Sequence, residues 1–441
     1  MIPRTLQRLS CLASRCRPVL NPRHAVLTRS LCQSTTASTK RFMTSNVVVS
    51  AMLPPKSKVL SRLTCSSAGL RHKFMSTMAA SAHNNVSSSA AKAVVTHTKP
   101  IVAYWLYFNA GMVFAIVVVG GLTRLTESGL SIVEWNVISG MKPPRSEQEW
   151  KDDLNRHMEI EDFKGIFYWE WGHRMIGRFI GMSILLPGIY FARRGYMTKS
   201  VQKQVLFIAS VMGFQGFMGW FMVKSGLNEA LMKEVGAVPR VSQYRLTAHL
   251  CTAFIIYAGA IFSAAGILRN DKLAKGTYPK HVADMINSPV LKHLRKYAHW
   301  LGGLIFITAL SGGIVAGLDA GLIYTEYPKM GEGYIPPKNE LWSDHYVKPQ
   351  DKGKWRNLLE NPVTAQFDHR TLAEFTALCT TGFWLYSRRL PLPPNARAAC
   401  NAMMLAAATQ VTGLGAAHQA GALALLTSNF WVIHALRKVP L

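Results

Sequence analysis

The sequence predicts an all-α integral membrane protein with eight transmembrane helices, arranged as two pseudo-symmetric four-helix bundles. Three observations support this fold class: long apolar runs from Ile101 to the C-terminus, sparse charge, and an internal repeat. Hydrophobic residues make up 49% of the 441 residues and charged residues 17%. Because about 20 apolar residues suffice to cross a bilayer as a helix, this pattern favours a membrane protein over several soluble domains.

Eight apolar runs follow one another after the first hundred residues. They are residues 104–122, 166–191, 204–223, 246–268, 299–318, 369–387, 398–415 and 419–436. Lys and Arg concentrate in the segments after the second, fourth, sixth and eighth runs. Since short loops rich in Lys and Arg stay on the inner side of a membrane, these segments are predicted to share that side. The long loops 123–165 and 319–368 then lie on the opposite side.

The N-terminal region differs from the rest in composition. Before Glu127 the chain has no Asp or Glu, whereas Lys and Arg recur among Ser and Thr, and the whole chain carries a formal net charge of +27. The first 12 residues can form a short basic amphipathic helix, which is typical of a mitochondrial transit peptide; a disordered basic tail is the alternative. Scattered basic residues without a folded scaffold do not favour nucleic-acid binding. We therefore expect a multi-pass protein of the mitochondrial inner membrane.

The repeat relates the two halves of the apolar region. Residues 120–135 align without gaps on residues 312–327, and His173 then matches His369. With an even number of spans in each half, the two copies have the same orientation, so their axis lies along the membrane normal. Two four-helix bundles are the simplest architecture. The predicted domains are a transit peptide or basic extension at 1–98, an N-terminal bundle at 99–270, a matrix linker at 271–298 and a C-terminal bundle at 299–441.

Four histidines occupy matched places near the outer ends of the even-numbered spans. They are His173, His249, His369 and His418. Two imidazoles that face each other across a bundle are the arrangement for axial ligation of a heme iron. A single intramembrane histidine is more often a hydrogen-bonded core residue, but four at matched positions favour ligation, because polar groups are costly at this depth. Zinc is a poor fit, since it needs three or four protein ligands at each site.

Arginines accompany these histidines. Arg174 and Arg370 each follow the first histidine of a half, and Arg245 lies one turn before His249. A guanidinium can pair bidentately with a heme propionate. The alternative for Arg245 and Arg370 is an interfacial side chain that extends to the membrane surface.

The two halves differ at one position beside the first histidine. Glu170 lies one turn before His173, whereas Gln366 takes the corresponding place before His369. Acidic side chains that transfer protons are a common means of catalysis. A carboxylate in one half alone therefore predicts that the N-terminal half handles protons and that the C-terminal half holds a heme that passes electrons.

The chain resembles the heme A synthase family in a specific combination of motifs. The matching segments are Gly120–Ser131, Pro143-Pro144, Glu170–Arg174 and Ala417–Gly421. The resemblance extends from about Pro100 to Arg437, and the long N-terminal extension is similar to that of the mitochondrial branch. Bacterial relatives often carry a cysteine pair in the first outer loop, which has no cysteine here.

The resemblance implies a reaction and a place for each heme. Members oxidise the C8 methyl of heme O to the formyl group of heme A through successive hydroxylations. By analogy, the substrate heme lies between His173 and His249, and a resident heme b lies between His369 and His418. Glu170 matches the functionally important acid of the family, so its expected task is to take up protons or to stabilise positive charge near the reacting methyl.

The resemblance also implies partners and a location. We expect a role in cytochrome c oxidase assembly, with heme O synthase, a ferredoxin-type electron donor and assembly factors as partners, and self-association into an oligomer. The heme sites would face the intermembrane space. Two other functions remain open from the sequence: a di-heme, quinol-linked electron carrier that modifies neither heme, and a heme transporter or chaperone.

Overall fold

Helices account for all the regular structure in the described part of the chain, apart from one isolated bridge between Met330 and Gly333. The computed structural model describes residues 97–440 except 133, 137–139, 154–158, 227–240, 348–352 and 411–414. The predicted transit peptide lies outside these residues, except for its last two. The helices are α1 (Pro100–Leu125), α2 (Glu147–Asp153), α3 (Ile160–Arg193), α4 (Lys199–Gly226), α5 (Gln243–Ala274), α6 (Lys280–Asn287), α7 (Lys292–Gly317), α8 (Lys338–Leu341), α9 (Asn357–Glu360), α10 (Pro362–Arg388), α11 (Pro394–Ala408) and α12 (Gly415–Ala435).

Among the described residues, five helices are long and apolar enough to cross a membrane: α1, α3, α4, α5 and the segment 289–317 that contains α7. An integral membrane protein of all-α class is therefore confirmed. Helix α10 carries Asp368, Arg370 and Glu374 within its length, and α11 has only 15 residues. That α10, α11 and α12 also span the membrane stays a prediction.

Each long helix begins a few residues before its apolar run, and for α3 and α10 this extension changes where a predicted heme ligand lies. Helix α3 starts at Ile160, so its N-terminal turns precede the run predicted from residue 166. These turns are amphipathic: Phe163 and Phe167 are buried against Trp150 of α2, with ring centroids 6.2 and 5.1 Å from that indole. Helix α10 likewise starts at Pro362, ahead of the predicted residue 369. His173 and His369 consequently lie inside their helices and not at the first turn.

The long helices contact one another in two closed rings. In one ring α1 packs on α3, α3 on α4, α4 on α5 and α5 on α1; in the other, α7, α10, α11 and α12 follow the same order. The rings meet where α5 packs on α7 and where α12 packs on α1 and α5. One cluster of buried apolar side chains runs through both rings, and residues 90–441 form one compact unit.

The turns after α1 and α7 share an uncommon backbone conformation. Glu127 and Asp319, which the repeat aligns, have φ angles of 53° and 52°. A non-glycine residue in this left-handed region costs about 1–2 kcal/mol. The same costly turn therefore occurs at both copies of the repeat, at the end of the helix from which each outer loop departs.

Candidate active site

The N-terminal ring brings together the first pair of predicted histidines. His173 lies on α3 and faces α1, where a side chain at Gly120 would place its Cβ 3.1 Å from the imidazole Nε2. His249 lies on α5, and a Cβ at Gly219 of α4 would be 3.4 Å from its Cε1. Helices α3 and α5 belong to the same ring of four helices. The glycines of α1 and α4 thus leave room for the two imidazoles.

A glutamine of α4 and a threonine of α5 form a polar pair beside His249. The Nε2 of Gln215, on α4, lies 3.2 Å from the imidazole Nε2, and the Thr252 hydroxyl donates to the Gln215 carbonyl oxygen. The Nδ1 of His249 is buried and has no hydrogen-bond partner among the described residues. Because an unpaired polar atom is costly in a buried site, this nitrogen indicates a place where a ligand would restore a partner.

The C-terminal ring of helices brings the second pair of histidines close together. The ring centroids of His369 and His418 are 6.1 Å apart, and the ring planes are 80° apart. The Ser311 hydroxyl lies 2.7 Å from Nδ1 of His369, and the Gln410 amide lies 3.1 Å from Nδ1 of His418. Both Nδ1 atoms are therefore held from behind, as is usual for imidazoles that ligate a metal through Nε2.

The distance between the imidazoles of His369 and His418 suits a shared iron atom. A metal bound about 2 Å from each imidazole nitrogen puts the ring centroids roughly 6 Å apart, close to the 6.1 Å observed. A Cβ at Gly312 of α7 would lie 3.1 Å from His369, so this helix also leaves clearance beside the imidazole. The residues present fit a bis-histidine heme site.

Glu170 is almost fully buried and accepts hydrogen bonds at both carboxylate oxygens. Its Oε2 accepts from the Ser131 hydroxyl at 2.7 Å and from the backbone N–H of Ile132 at 2.8 Å. Its Oε1 pairs with Arg174 at 2.6 Å, and Arg174 also donates to the carbonyls of Ile132 and Glu134. This carboxylate and guanidinium therefore fasten the first outer loop onto α3 beside His173.

In the C-terminal half the loop after α7 is attached to α10 in the same way, but by a glutamine instead of a carboxylate. Gln366 accepts from the backbone N–H of Tyr324 at 3.2 Å and donates to its carbonyl at 2.8 Å. Arg370 donates to the carbonyls of Tyr324 and Glu326, which the repeat aligns with Ile132 and Glu134. The glutamine keeps the geometry of the loop attachment and removes the negative charge.

A hydrogen bond within the loop 319–368 involves Tyr324. Its hydroxyl donates to the Glu340 carboxylate, and this hydrogen bond raises the pKa of Tyr324 to about 12. The hydrogen bond thus joins two residues of the loop that are 16 positions apart in the chain.

Arg245 contacts an aromatic side chain of the neighbouring helix. Its guanidinium lies over the ring of Phe221, 4.6 Å from the centroid. This cation–π interaction lies near the C-terminal end of α4. Its pairing with a propionate stays a prediction.

Sequence reasoning missed the polar residues behind the histidines. These are Gln215 of α4, Gln410 after α11 and Ser311 of α7. A signal was available, because each of these residues lies in or beside an apolar run, where polar side chains usually have a function. The two glutamines also follow the repeat, since each comes from the third run of its half and supports that half's second histidine.

Comparison with known proteins places the chain in a family. The sequence model described as cytochrome oxidase assembly protein, COX15-CtaA, matches residues 103–430. Heme A synthase COX15 of Saccharomyces cerevisiae is 42% identical over 370 residues, which cover 77% of this chain and 76% of the yeast protein. The Homo sapiens protein of the same name is 40% identical over 364 residues, covering 77% of this chain and 83% of the human protein.

A third relative joins two activities in its name. The heme A synthase–mitochondrial ferredoxin fusion protein of Schizosaccharomyces pombe is 40% identical over 360 residues, which cover 74% of this chain and 58% of the fusion. No solved structure matches the chain. With the family model covering both rings of helices and all four histidines, the chain belongs to the COX15-CtaA family of cytochrome oxidase assembly proteins.

Proposed function

We propose that this chain is a heme A synthase, an oxidoreductase that converts the C8 methyl of heme O into the formyl group of heme A. The observation that carries the proposal is the match to proteins named heme A synthase, at about 40% identity over most of the chain. The matched histidine pairs explain how one chain can hold both a substrate heme and a resident heme.

The C-terminal ring is proposed as the site of the resident heme b. His369 and His418 would be its axial ligands, with Ser311 and Gln410 fixing their orientation through the Nδ1 atoms. A heme with two histidine ligands supplies one-electron transfer. The neutral Gln366 in place of a carboxylate agrees with a site that passes electrons only.

The N-terminal ring is proposed as the site of heme O. His173 and His249 would flank the substrate, and Gln215 would direct the second imidazole. Arg174, Arg370 and Arg245 are proposed to pair with heme propionates, since each lies on a helix that carries one of the four histidines. For Arg174 and Arg370 this role would come in addition to holding the outer loops.

Glu170 is proposed to act as a fixed negative charge beside the substrate. Arg174, the Ser131 hydroxyl and the backbone N–H of Ile132 donate to both oxygens of its carboxylate and hold it in one orientation. A preorganised charge aimed at the place where opposite charge develops can supply much of the stabilisation of a transition state. These contacts favour stabilisation of positive charge near the reacting methyl over uptake of a proton.

The location and partners follow the relatives. Eukaryotic relatives and the apolar helices support a multi-pass mitochondrial membrane protein. We place it in the inner membrane, with eight spans in two pseudo-symmetric bundles and both heme sites toward the intermembrane space. The fusion in Schizosaccharomyces pombe supports a ferredoxin as electron donor; heme O synthase, oxidase assembly factors and a second copy of the chain remain proposed partners.

Chromatography of heme extracted from the purified protein tests this function. With heme O and a reducing system supplied, we expect heme b together with heme O, hydroxylated intermediate and heme A. Heme b alone under these conditions would refute the synthase function and favour an electron carrier. Unmodified heme O that is bound and released without product would favour a transporter or chaperone.

A further inference from the structure

Each copy of the repeat carries two consecutive glycines, and the two glycines of a pair face different halves of the protein. On α1, Gly120 faces His173 of its own half, whereas a side chain at Gly121 would collide with the amide of Gln419 on α12. Gln419 directly follows His418 in the chain. At two successive positions, helix α1 thus lies against His173 of its own half and against the residue next to His418 of the other half.

The second pair repeats this division on α7. Gly312 faces His369 of its own half, whereas a Cβ at Gly313 would lie 3.0 Å from the Thr247 hydroxyl and 3.4 Å from Leu250 on α5. These two residues flank His249 in the chain. The helix that opens each half therefore packs against the helix that carries the second histidine of the other half.

Further close contacts join α1 to α12 and α7 to α5. Gln419 donates to the carbonyl of Val117 on α1 at 3.1 Å. One turn beyond Gly313, a Cβ at Gly317 would lie 2.5 Å from Cα of Gln243 at the start of α5. Small residues spaced by four allow two helix backbones to approach closely. Helix α7 thus approaches α5 closely, and α1 is hydrogen-bonded to α12.

We propose that Gly121 and Gly313 are positioning residues for the second histidine ligand of the opposite half: Gly121 for His418 and Gly313 for His249. This inference rests on the proposed heme sites. Ligand geometry at a functional site tolerates displacements of only about 0.5 Å. A methyl group at Gly313 presses on both the hydroxyl and the backbone of Thr247. One at Gly121 displaces the Gln419 amide, and with it the hydrogen bond that joins α12 to Val117 of α1. Each heme site is therefore tuned by the half of the chain that does not contain it.

Alanine variants of the purified full chain, loaded with heme b and heme O, test this crossing. The readouts are the low-temperature electron paramagnetic resonance spectrum and the reduction potential of each heme. His173→Ala and His369→Ala identify which signal belongs to which site. We expect Gly121→Ala to shift the signal that His369→Ala removes, and Gly313→Ala to shift the signal that His173→Ala removes.

Matched controls come from the same two helices. Gly111 on α1 and Gly303 on α7 have no atom within 4 Å of an added Cβ, so Gly111→Ala and Gly303→Ala should leave both signals in place. The double variant Gly121→Ala/Gln419→Ala removes the amide that the new methyl meets, and it should move the signal back toward the wild-type position. Should Gly121→Ala fail to accumulate, Leu125→Ala offers the same crossed test, because Leu125 packs against Gly415 of α12.

The outcomes separate this inference from the proposed function. A shift confined to the variant's own half, an equal shift at both sites, or no shift at either site would overturn the crossed positioning. A wild-type protein that shows only one heme signal after loading would instead refute the two-site function. Wild-type protein with two signals and crossed shifts would support both.

Discussion

At the scale of single residues, Glu170 and Gln366 make the same attachment with different charge. Each accepts the backbone N–H of the aligned loop residue, Ile132 or Tyr324. Only Glu170 adds an ion pair with an arginine of its own helix. The loop attachment therefore does not require a carboxylate, and the charge is the feature that distinguishes the N-terminal site.

We expect Glu170→Gln to retain bound heme and to lose heme A formation, by a factor on the order of 10² to 10⁴. The amide oxygen still accepts from Ile132 and Ser131, so the loop stays attached while the charge is removed. The measurement is the ratio of heme A to heme O in extracted heme. Glu161→Gln is the control, because that carboxylate is on the same helix and exposed. Normal heme A in Glu170→Gln would rule out a role for the charge.

Ser311 gives a second prediction at this scale. Its hydroxyl lies 2.7 Å from Nδ1 of His369, and groups that orient a ligating imidazole typically contribute about 10- to 100-fold to metal affinity. Ser311→Ala is expected to weaken heme retention in the C-terminal site by at least about 10-fold, measured by heme transfer to an excess of an apo-globin. Ser428→Ala is the control, since Ser428 bonds only to its own helix at Ala424. Equal retention in both variants would contradict an orienting role.

At the scale of helices, the apolar runs predict where a helix lies in the chain better than they predict the residues at which it begins and ends. Each apolar run coincides with a helix over most of its length, although the seventh run continues past the end of α11 at Ala408. Apolar side chains stabilise these helices because they are buried or face lipid. The starts of α3 and α10 were missed, because their first turns are stabilised by tertiary contacts such as that of Phe163 with Trp150. A hydropathy pattern carries no information about such a contact.

Asn361 is expected to stabilise the start of α10. It is buried, its Oδ1 accepts from the backbone N–H of Val363 at 3.0 Å, and its Nδ2 donates to the carbonyl of Glu340 at 2.6 Å. Removal of an N-cap side chain typically costs about 0.5–2 kcal/mol. Asn361→Ala should therefore lower the thermal unfolding midpoint and weaken the heme signal that depends on His369.

The variant Asn361→Ser separates the cap from the loop contacts. A serine keeps an acceptor for the backbone N–H of Val363 and loses the amide that donates to Glu340, Leu341 and Asn357, so it should retain part of the stability that alanine loses. Thermal unfolding in detergent measures both variants. Equal losses in the two would show that the cap contributes nothing.

At the scale of the whole molecule, the repeat anticipated most of the candidate site. The alignment paired His173 with His369 and Arg174 with Arg370, and the structure gives both pairs matching neighbours in their own halves. The sequence could not show the ion pair of Arg124 with Asp319, 2.5 Å long, which joins the two copies. Contacts of this kind depend on how the halves pack together, and periodicity within one half does not report it.

The number of membrane spans is the prediction that decides the architecture. Large apolar side chains on the outside of α10 and α11, such as Leu378 at 71% and Leu405 at 64% exposure, suit contact with lipid. If α10, α11 and α12 all cross, the chain between α7 and α10 and the C-terminal tail lie on opposite sides of the membrane. If the membrane is crossed only by the five most apolar helices, both lie on the same side.

Single cysteines at Glu332 and Lys438, both exposed, discriminate these topologies. In mitoplasts treated with a membrane-impermeant maleimide, we expect Glu332→Cys to be labelled and Lys438→Cys to be labelled only after the membrane is dissolved. Glu127→Cys, in the first outer loop, and Arg194→Cys, between α3 and α4, serve as controls for the two sides. Because positive charge follows the second, fourth, sixth and eighth runs, the eight-span arrangement requires Lys438 to behave like Arg194. Labelling of Lys438→Cys in intact mitoplasts would show that α10, α11 and α12 do not all cross, and it would refute the architecture of two four-helix bundles within the membrane.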